Sequence, residues 1–252
     1  MTVAGVPSPA ISIIIDDLGY QLSAGLRVVG FPGPLACSLI PYTPYAIPLA
    51  EAAYRAGKEV MLHLPMESST GVSPVRGGLF HAMDHSEFSR VVRADLTMIP
   101  HVRGINNHMG SLLTSRPVAM SWLMAEIKRH DGLFFVDSRT TAATVALNAA
   151  REAKIAATRR DVFLDNIPHS AAVRDQFTRL VALAHAQGTA VGIAHPRPAT
   201  LNVLADLLPR LATLGVSLIP ISETIIRRSS QRPTRNPYGP LPDVEKISRS
   251  LK

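Results

Sequence analysis

Two adjacent carboxylates, Asp16 and Asp17, follow the run Ile11-Ser12-Ile13-Ile14-Ile15. That run is apolar but for Ser12 and mostly β-branched, the composition of a strand buried on both faces. Adjacent carboxylates repel, so a site using both needs a cation or a shared proton. The other reading is that one Asp caps the next helix while its neighbour is solvated. His63, His108, Asp137 and His195 stand in the same relation to later apolar runs, each just past or at the end of one. Two histidines and a carboxylate gathered on one face would make an open divalent-metal site. Each histidine alone is an ordinary structural hydrogen-bonder. Their recurrence at one relative place argues for a shared site.

Such positions need a scaffold that brings strand ends together. Apolar runs at 11–15, 35–40, 59–67, 104–111, 132–136, 190–194 and 216–219 alternate with helical patterns over 22–30, 46–56, 86–99, 117–130, 142–154, 170–187 and 201–214. Gly57 suits a helix C-terminus and Pro117 a first helical turn. Strict alternation of this kind predicts a parallel α/β fold, whose strand ends converge on one face. Residues 68–85 read as a long loop, 155–158 as a short segment, 161–166 as a loop and Arg228 onward as unstructured. No G-x-G-x-x-G turn or P-loop follows the first strand, which argues against nucleotide cofactors. The expected organisation is a leader or linker remnant over 1–10, one barrel over 11–226 and a basic, disordered tail over 227–252.

Composition removes other classes. With 252 residues and 46% hydrophobic content the chain can bury a sizeable core. The net charge of +7 is concentrated at the end, where 227–252 holds seven Lys/Arg against two Asp/Glu. Aromatics are only 5%, so the charge reads as a solvated tail and no nucleic-acid partner is expected. The single cysteine, Cys37, reads as a core thiol. No run is long enough for a membrane span, and no feature assigns an oligomeric state. Residues 1–10 lack the pattern of a signal peptide, so the expectation is either a cytoplasmic protein or a leader absent from this chain.

Five motifs in order carry a resemblance. They are Ile15-Asp16-Asp17-Leu18-Gly19, His63-Leu64-Pro65-Met66-Glu67, Asn106-Asn107-His108-Met109-Gly110-Ser111, Phe135-Val136-Asp137-Ser138-Arg139-Thr140-Thr141 and Ala194-His195-Pro196-Arg197-Pro198. Over about residues 11–225 the chain resembles the divergent polysaccharide deacetylase family, an offshoot of the NodB-type carbohydrate deacetylases. The resemblance implies a single-domain, deformed (β/α) barrel of seven or eight parallel strands. It implies a divalent metal, zinc foremost, and removal of N-acetyl groups from a cell-envelope polysaccharide or peptidoglycan-type glycan. It also implies a periplasmic or envelope location.

By the same resemblance Asp16 is the catalytic base, Asp17 a metal ligand and His195 the general acid. The parent family takes its other two ligands from one His-x-x-x-His element. Here His81 and His85 have that spacing, but they follow a Gly-Gly loop and precede a helix start. His63 and His108 are therefore the expected ligands. Asp137 joins the expected catalytic set, with Arg139, Asn107, Asp165 and Tyr20 binding substrate or supporting the site. Salt bridging and turn capping stay open for Asp137, Arg139 and Asp165, and Asn107 either caps a helix or orients His108. Tyr20, Tyr42 and Tyr45 are the aromatics near strand ends that could stack on a sugar. Loss of the compact histidine pair leaves an alternative, a non-catalytic barrel that binds glycan or an envelope protein.

Overall fold

The computed structural model describes residues 8–71 and 75–230. Its strands are β1 (Ala10–Leu18), β2 (Ala36–Leu39), β3 (Glu59–Met66), β4 (Val102–Met109), β5 (Phe134–Asp137), β6 (Ala157–Arg159), β7 (Val162–Phe163), β8 (Thr189–Ala194) and β9 (Ser217–Leu218). All pairings between them are parallel, in the order β6-β5-β4-β3-β2-β1-β8-β7, with β9 beside the start of β1. Helices α1 (Leu22–Val29), α2 (Ala46–Arg55), α3 (His85–Met98), α4 (Pro117–Lys128), α5 (Ala146–Glu152), α6 (Ser170–Gln187) and α7 (Pro198–Leu207) lie between strands, and α8 (Ile221–Ser230) follows β9. The expected deformed barrel in one domain is the architecture found.

Side chains along a strand alternate between its faces, and here the alternation sorts two cores. Ile11, Ile13, Ile15, Cys37, Leu39, Val60, Leu62, Ile105, Phe135 and Ala190 face the helices and join the large outer core. Ile14, Ala36, Met61, Phe134, Val136, Val191 and Ile193 face the lumen and fill it with Ile221 and Ile225 of α8. Continuing the inward set by twos along each strand reaches Asp16, Ser38, His63, Asn106, His108 and His195. The lumen is thus apolar below and polar at the strand ends. Cys37 lies on the outward set, and burial pushes its thiol up to about 12, in keeping with the core reading.

One segment closes the wall. Residues 156–160 pair with β5, through Phe135 N to Ala156 O and Arg160 N to Asp137 O. The chain then changes partner, and Asp161 N and Leu164 N bond to Val191 O and Ile193 O of β8. The loop expected over 161–166 therefore contains β7, a strand of only two residues. Arg228 fastens this seam from below, bonding to Thr158 Oγ1, Thr189 Oγ1 and Asp161 Oδ2. Ile221 N and Ser222 N at the start of α8 are both accepted by Glu59 Oε2.

Three boundaries differ from expectation. The helix over 142–154 is shorter because residues 138–145 turn at the site before α5 begins. The helix over 201–214 starts at Pro198 and gives way to a 3₁₀ turn, Leu208–Arg210, at Pro209. The tail expected from 227 starts inside α8, which runs on to Ser230 because Ile221, Thr224 and Ile225 bury one face against the barrel. Residues 1–7 and 231–252 lie outside the described residues, and with them most of the expected leader and tail.

Candidate metal centre and active site

Alternation alone cannot turn both Asp16 and Asp17 toward the lumen, because neighbours on a strand point to opposite faces. A bulge resolves this. Ile15 pairs with Cys37 and Leu18 with Leu39, so β1 spends three residue steps where β2 spends two. Asp17 takes φ +56, a left-handed conformation that costs a non-glycine residue about 1–3 kcal/mol. Gly19 follows with φ +120, and a Cβ there would lie 1.9 Å from Thr43 Oγ1. Met109 and Arg139, at φ +54 and +50, repeat the left-handed turn after β4 and β5. Among the described residues Asp17, Tyr42, Met109 and Arg139 are left-handed at or just past strand ends, while His101 and Lys154 are left-handed elsewhere.

At that face three donor atoms meet. Asp17 Oδ1 lies 2.9 Å from His108 Nδ1 and 3.3 Å from His63 Nε2, and the two nitrogens are 3.2 Å apart. Ligands of a tetrahedral zinc, at about 2.0–2.1 Å from the ion, stand about 3.4 Å from one another. Asp17 Oδ1 is buried without a well-directed hydrogen bond among the described residues, although two nitrogens are within reach. Distance without direction is what convergence on a shared ion would produce, and the chemistry of the set, one carboxylate and two imidazoles, fits a divalent metal.

Two further groups flank the triangle. Asp16 Oδ2 is 3.6 Å from His63 Nε2, and His195 Nε2 is 3.7 Å from Asp17 Oδ2. The other nitrogen of His195, Nδ1, is 2.9 Å from Asp165 Oδ1, while Asp165 Oδ2 accepts from His195 N and Thr200 Oγ1. Beneath them lies Asn106, fully buried. Its Nδ2 donates to Asp16 Oδ1 at 2.8 Å and Ser138 Oγ at 3.2 Å, and its Oδ1 accepts from Ser38 Oγ at 2.6 Å and faces His63 Nδ1 at 2.9 Å.

Burial and charge oppose each other across the cluster. Burial raises the Asp16 carboxyl, and His63, Asn106 and His195 offset this only in part. Burial also acts to raise Asp17, yet the imidazoles of His108 and His63, 2.9 and 3.3 Å from its Oδ1, hold it well below the usual carboxylate range. Burial would lower both His63 and His195, but Asp16 and Asp17 raise the first and Asp165 chiefly raises the second. Burial would raise Asp165, yet its hydrogen bond with His195 brings it below its ordinary value.

Of the expected site residues, the fold brings Asp16, Asp17, His63, His108 and His195 together, with Asp165 behind His195. Tyr20 is exposed on the rim of a cavity of about 200 Å³ that Asp17, Gln21, His195 and Arg197 also line. His81 and His85 stand apart, the first beside Glu67 and the second against Trp122. Asp137 lies outside this group. Its neighbour Val136 faces the lumen, so Asp137 points outward, where Arg139 N and Thr144 Oγ1 occupy its two oxygens. It shapes the turn after β5. Asn107 also faces outward and does not touch His108; it ties Met109 O to Ser138 N. Arg139 lends its carbonyl to Arg160 Nη2 at 2.8 Å, and Arg160 stacks on Phe163, which packs against His195. Asn106, Ser38 and Thr200 were not among the expected residues, and counting by twos from His108 and from Ala36 would have found the first two.

A model of the divergent polysaccharide deacetylase family matches residues 13–225. The uncharacterized protein YibQ of Escherichia coli K12 is 35% identical over 201 residues, covering 80% of this chain and 63% of its own length. An uncharacterized protein of Haemophilus influenzae is 34% identical over 194 residues, covering 77% of this chain and 69% of its own. The chain thus spans about two thirds of each relative. Among solved structures, an uncharacterized protein from Agrobacterium tumefaciens C58 superposes with a TM-score of 0.82 at 18% identity, over 88% of this chain and 91% of that one. A deacetylase solved with substrate gives 0.54 at 10% identity, over 88% and 92%. At those identities the likeness is one of fold.

Proposed function

The chain belongs to the divergent polysaccharide deacetylase family, and from that premise we propose a metal-dependent hydrolase that removes N-acetyl groups from a cell-envelope polysaccharide or peptidoglycan-type glycan. One observation carries the reading. Asp17 Oδ1, His63 Nε2 and His108 Nδ1 converge within 3.3 Å of one another, with Asp16 and His195 on their flanks. Asp17, His63 and His108 would hold the ion, and zinc suits one carboxylate and two imidazoles with a position left open. When bound, a divalent ion supplies Lewis acidity, polarising an amide carbonyl and making water a stronger nucleophile near neutral pH.

The chain's own groups then have defined tasks. Asp16 accepts a proton as water oxygen bonds to the acetyl carbon. His195 offers Nε2 toward the site while Nδ1 is tied to Asp165, so the proton at Nε2 is the one delivered to the departing amine as the C–N bond breaks. Acetate and the free amino sugar result. Tyr20 offers the cavity beside His195 an exposed aromatic face on which a sugar ring could stack. The family resemblance supports action in the bacterial cell envelope, on a substrate that meets the protein there.

The test is elemental analysis of untagged protein together with acetate release from chitooligosaccharide and peptidoglycan fragments. The expected result is a near-stoichiometric divalent ion, lost in His63→Ala and His108→Ala, and turnover that Asp16→Asn lowers by about 10²–10⁴-fold. Metal bound with no acetate released from either substrate would favour a glycan-binding barrel. Protein that takes up no ion even after reconstitution would overturn the metal reading.

A further inference from the structure

We infer that Asn106 is a positioning residue that fixes the metal-facing tautomer of His63 and the orientation of Asp16 through one amide. The inference rests on the metal and base assignments proposed above, and it concerns a residue those assignments leave unused.

Asn106 is fully buried at the centre of the lumen's polar layer, and both ends of its amide are engaged. Its orientation is dictated by its partners. With Asp16 ionised, the form in which it serves as the proposed base, the group facing its Oδ1 at 2.8 Å is the NH₂, because an amide oxygen there would meet a carboxylate oxygen. The carbonyl oxygen therefore faces His63 Nδ1 at 2.9 Å and Ser38 Oγ at 2.6 Å. An amide oxygen only accepts, so His63 must carry its proton on Nδ1. In the neutral ring Nε2 is then left with its lone pair, and Nε2 is the atom that meets Asp17 Oδ1 and His108 Nδ1. The charge on Asp16 orients the amide, the amide selects the tautomer, and the tautomer presents the ligand nitrogen. Partners of this kind behind a ligating histidine typically contribute 10–100-fold to metal affinity.

The two ends of the amide can be separated by substitution. Asn106→Leu keeps the volume and removes both ends. Asn106→Asp keeps an acceptor for His63 but sets a second oxygen against Asp16. Zinc affinity by competition titration, the ¹⁵N shifts of the His63 ring in metal-free protein followed to a pH at which the ring is neutral, and thermal melting to verify the fold are the readouts. The expected pattern is a 10–100-fold loss of zinc affinity in Asn106→Leu with a mixed His63 tautomer. In Asn106→Asp the Nδ1–H tautomer and zinc affinity stay within about threefold of the unsubstituted protein while acetate release falls. Zinc affinity within twofold and an unchanged tautomer in a folded Asn106→Leu would overturn the inference. If the unsubstituted protein binds no zinc, the metal assignment fails instead. The metal-free ¹⁵N spectra still decide Asn106, since a tautomer insensitive to the substitution refutes its role and one that shifts supports it.

Discussion

At Asp17 the backbone and the side chain pull in different directions. Its φ of +56 belongs to a region that favours glycine, while its Oδ1 is buried among nitrogens without a directed hydrogen bond among the described residues. Asp17→Gly should abolish zinc binding. In the metal-free protein the relief of the left-handed backbone, about 1–2 kcal/mol, is outweighed by loss of the charge pairing with His63 and His108, so the urea midpoint should fall. A higher midpoint would show that the metal-free fold endures the carboxylate and is not held by it. Which face a single residue takes could be read from sequence where parity is unambiguous, as at His63 and His195, and not where it is ambiguous. Asp137 ends a strand of four residues, too short to announce which face its last side chain takes. Asn106 and Asn107 are chemically identical neighbours, and only the register of β4, with His108 inward, tells the buried hub from the turn-maker.

Elements were legible in proportion to how much apolar surface they bury. The strands β1, β3, β4 and β8 stand out in the sequence because both of their faces are covered. The segment 156–164 does not, because it changes partner half-way and buries little on either side of the change. Helix α8 was missed for a related reason: only Ile221, Thr224 and Ile225 are buried in a polar stretch. Yet α8 carries Arg228, whose guanidinium joins Thr158, Asp161 and Thr189 across the seam. Arg228→Met should cost about 2 kcal/mol in urea denaturation, below the range for a fully buried pair because the arginine is partly exposed. Amide exchange should quicken at 157–164 before it does in β1–β4. Equal protection in the two regions of the variant would mean that the seam holds without its fastening.

For the molecule as a whole, one ionisable group outside the site makes stability fall as pH rises. Asp95 of α3 is fully buried beneath Gly77 and Tyr42. Burial pushes its carboxyl up to about 7, with the Tyr42 hydroxyl offsetting a little of this. A carboxyl raised in the folded state keeps its proton there while the unfolded chain has lost it. Its contribution is full below about pH 4, declines as pH rises toward 7 and is level beyond. The whole decline is worth about 4 kcal/mol, and about half of it falls between pH 5 and 7. Asp95→Asn should flatten that decline and raise the melting temperature at pH 8 more than at pH 5. A variant that keeps the unsubstituted protein's pH dependence would assign the decline to other groups. The proposed ligands offer a last consequence, of polymer physics. They come from β1, β3 and β4, and long stretches of chain separate Asp17, His63 and His108 in sequence. A compact pair of histidines four residues apart ties an ion to one short piece of backbone. Here an ion would be a cross-link between three distant points, closing two large loops for an entropy that grows only with the logarithm of their length. Occupancy would then be felt across residues 17–108, as a restraint on those unfolded conformations that keep the ion.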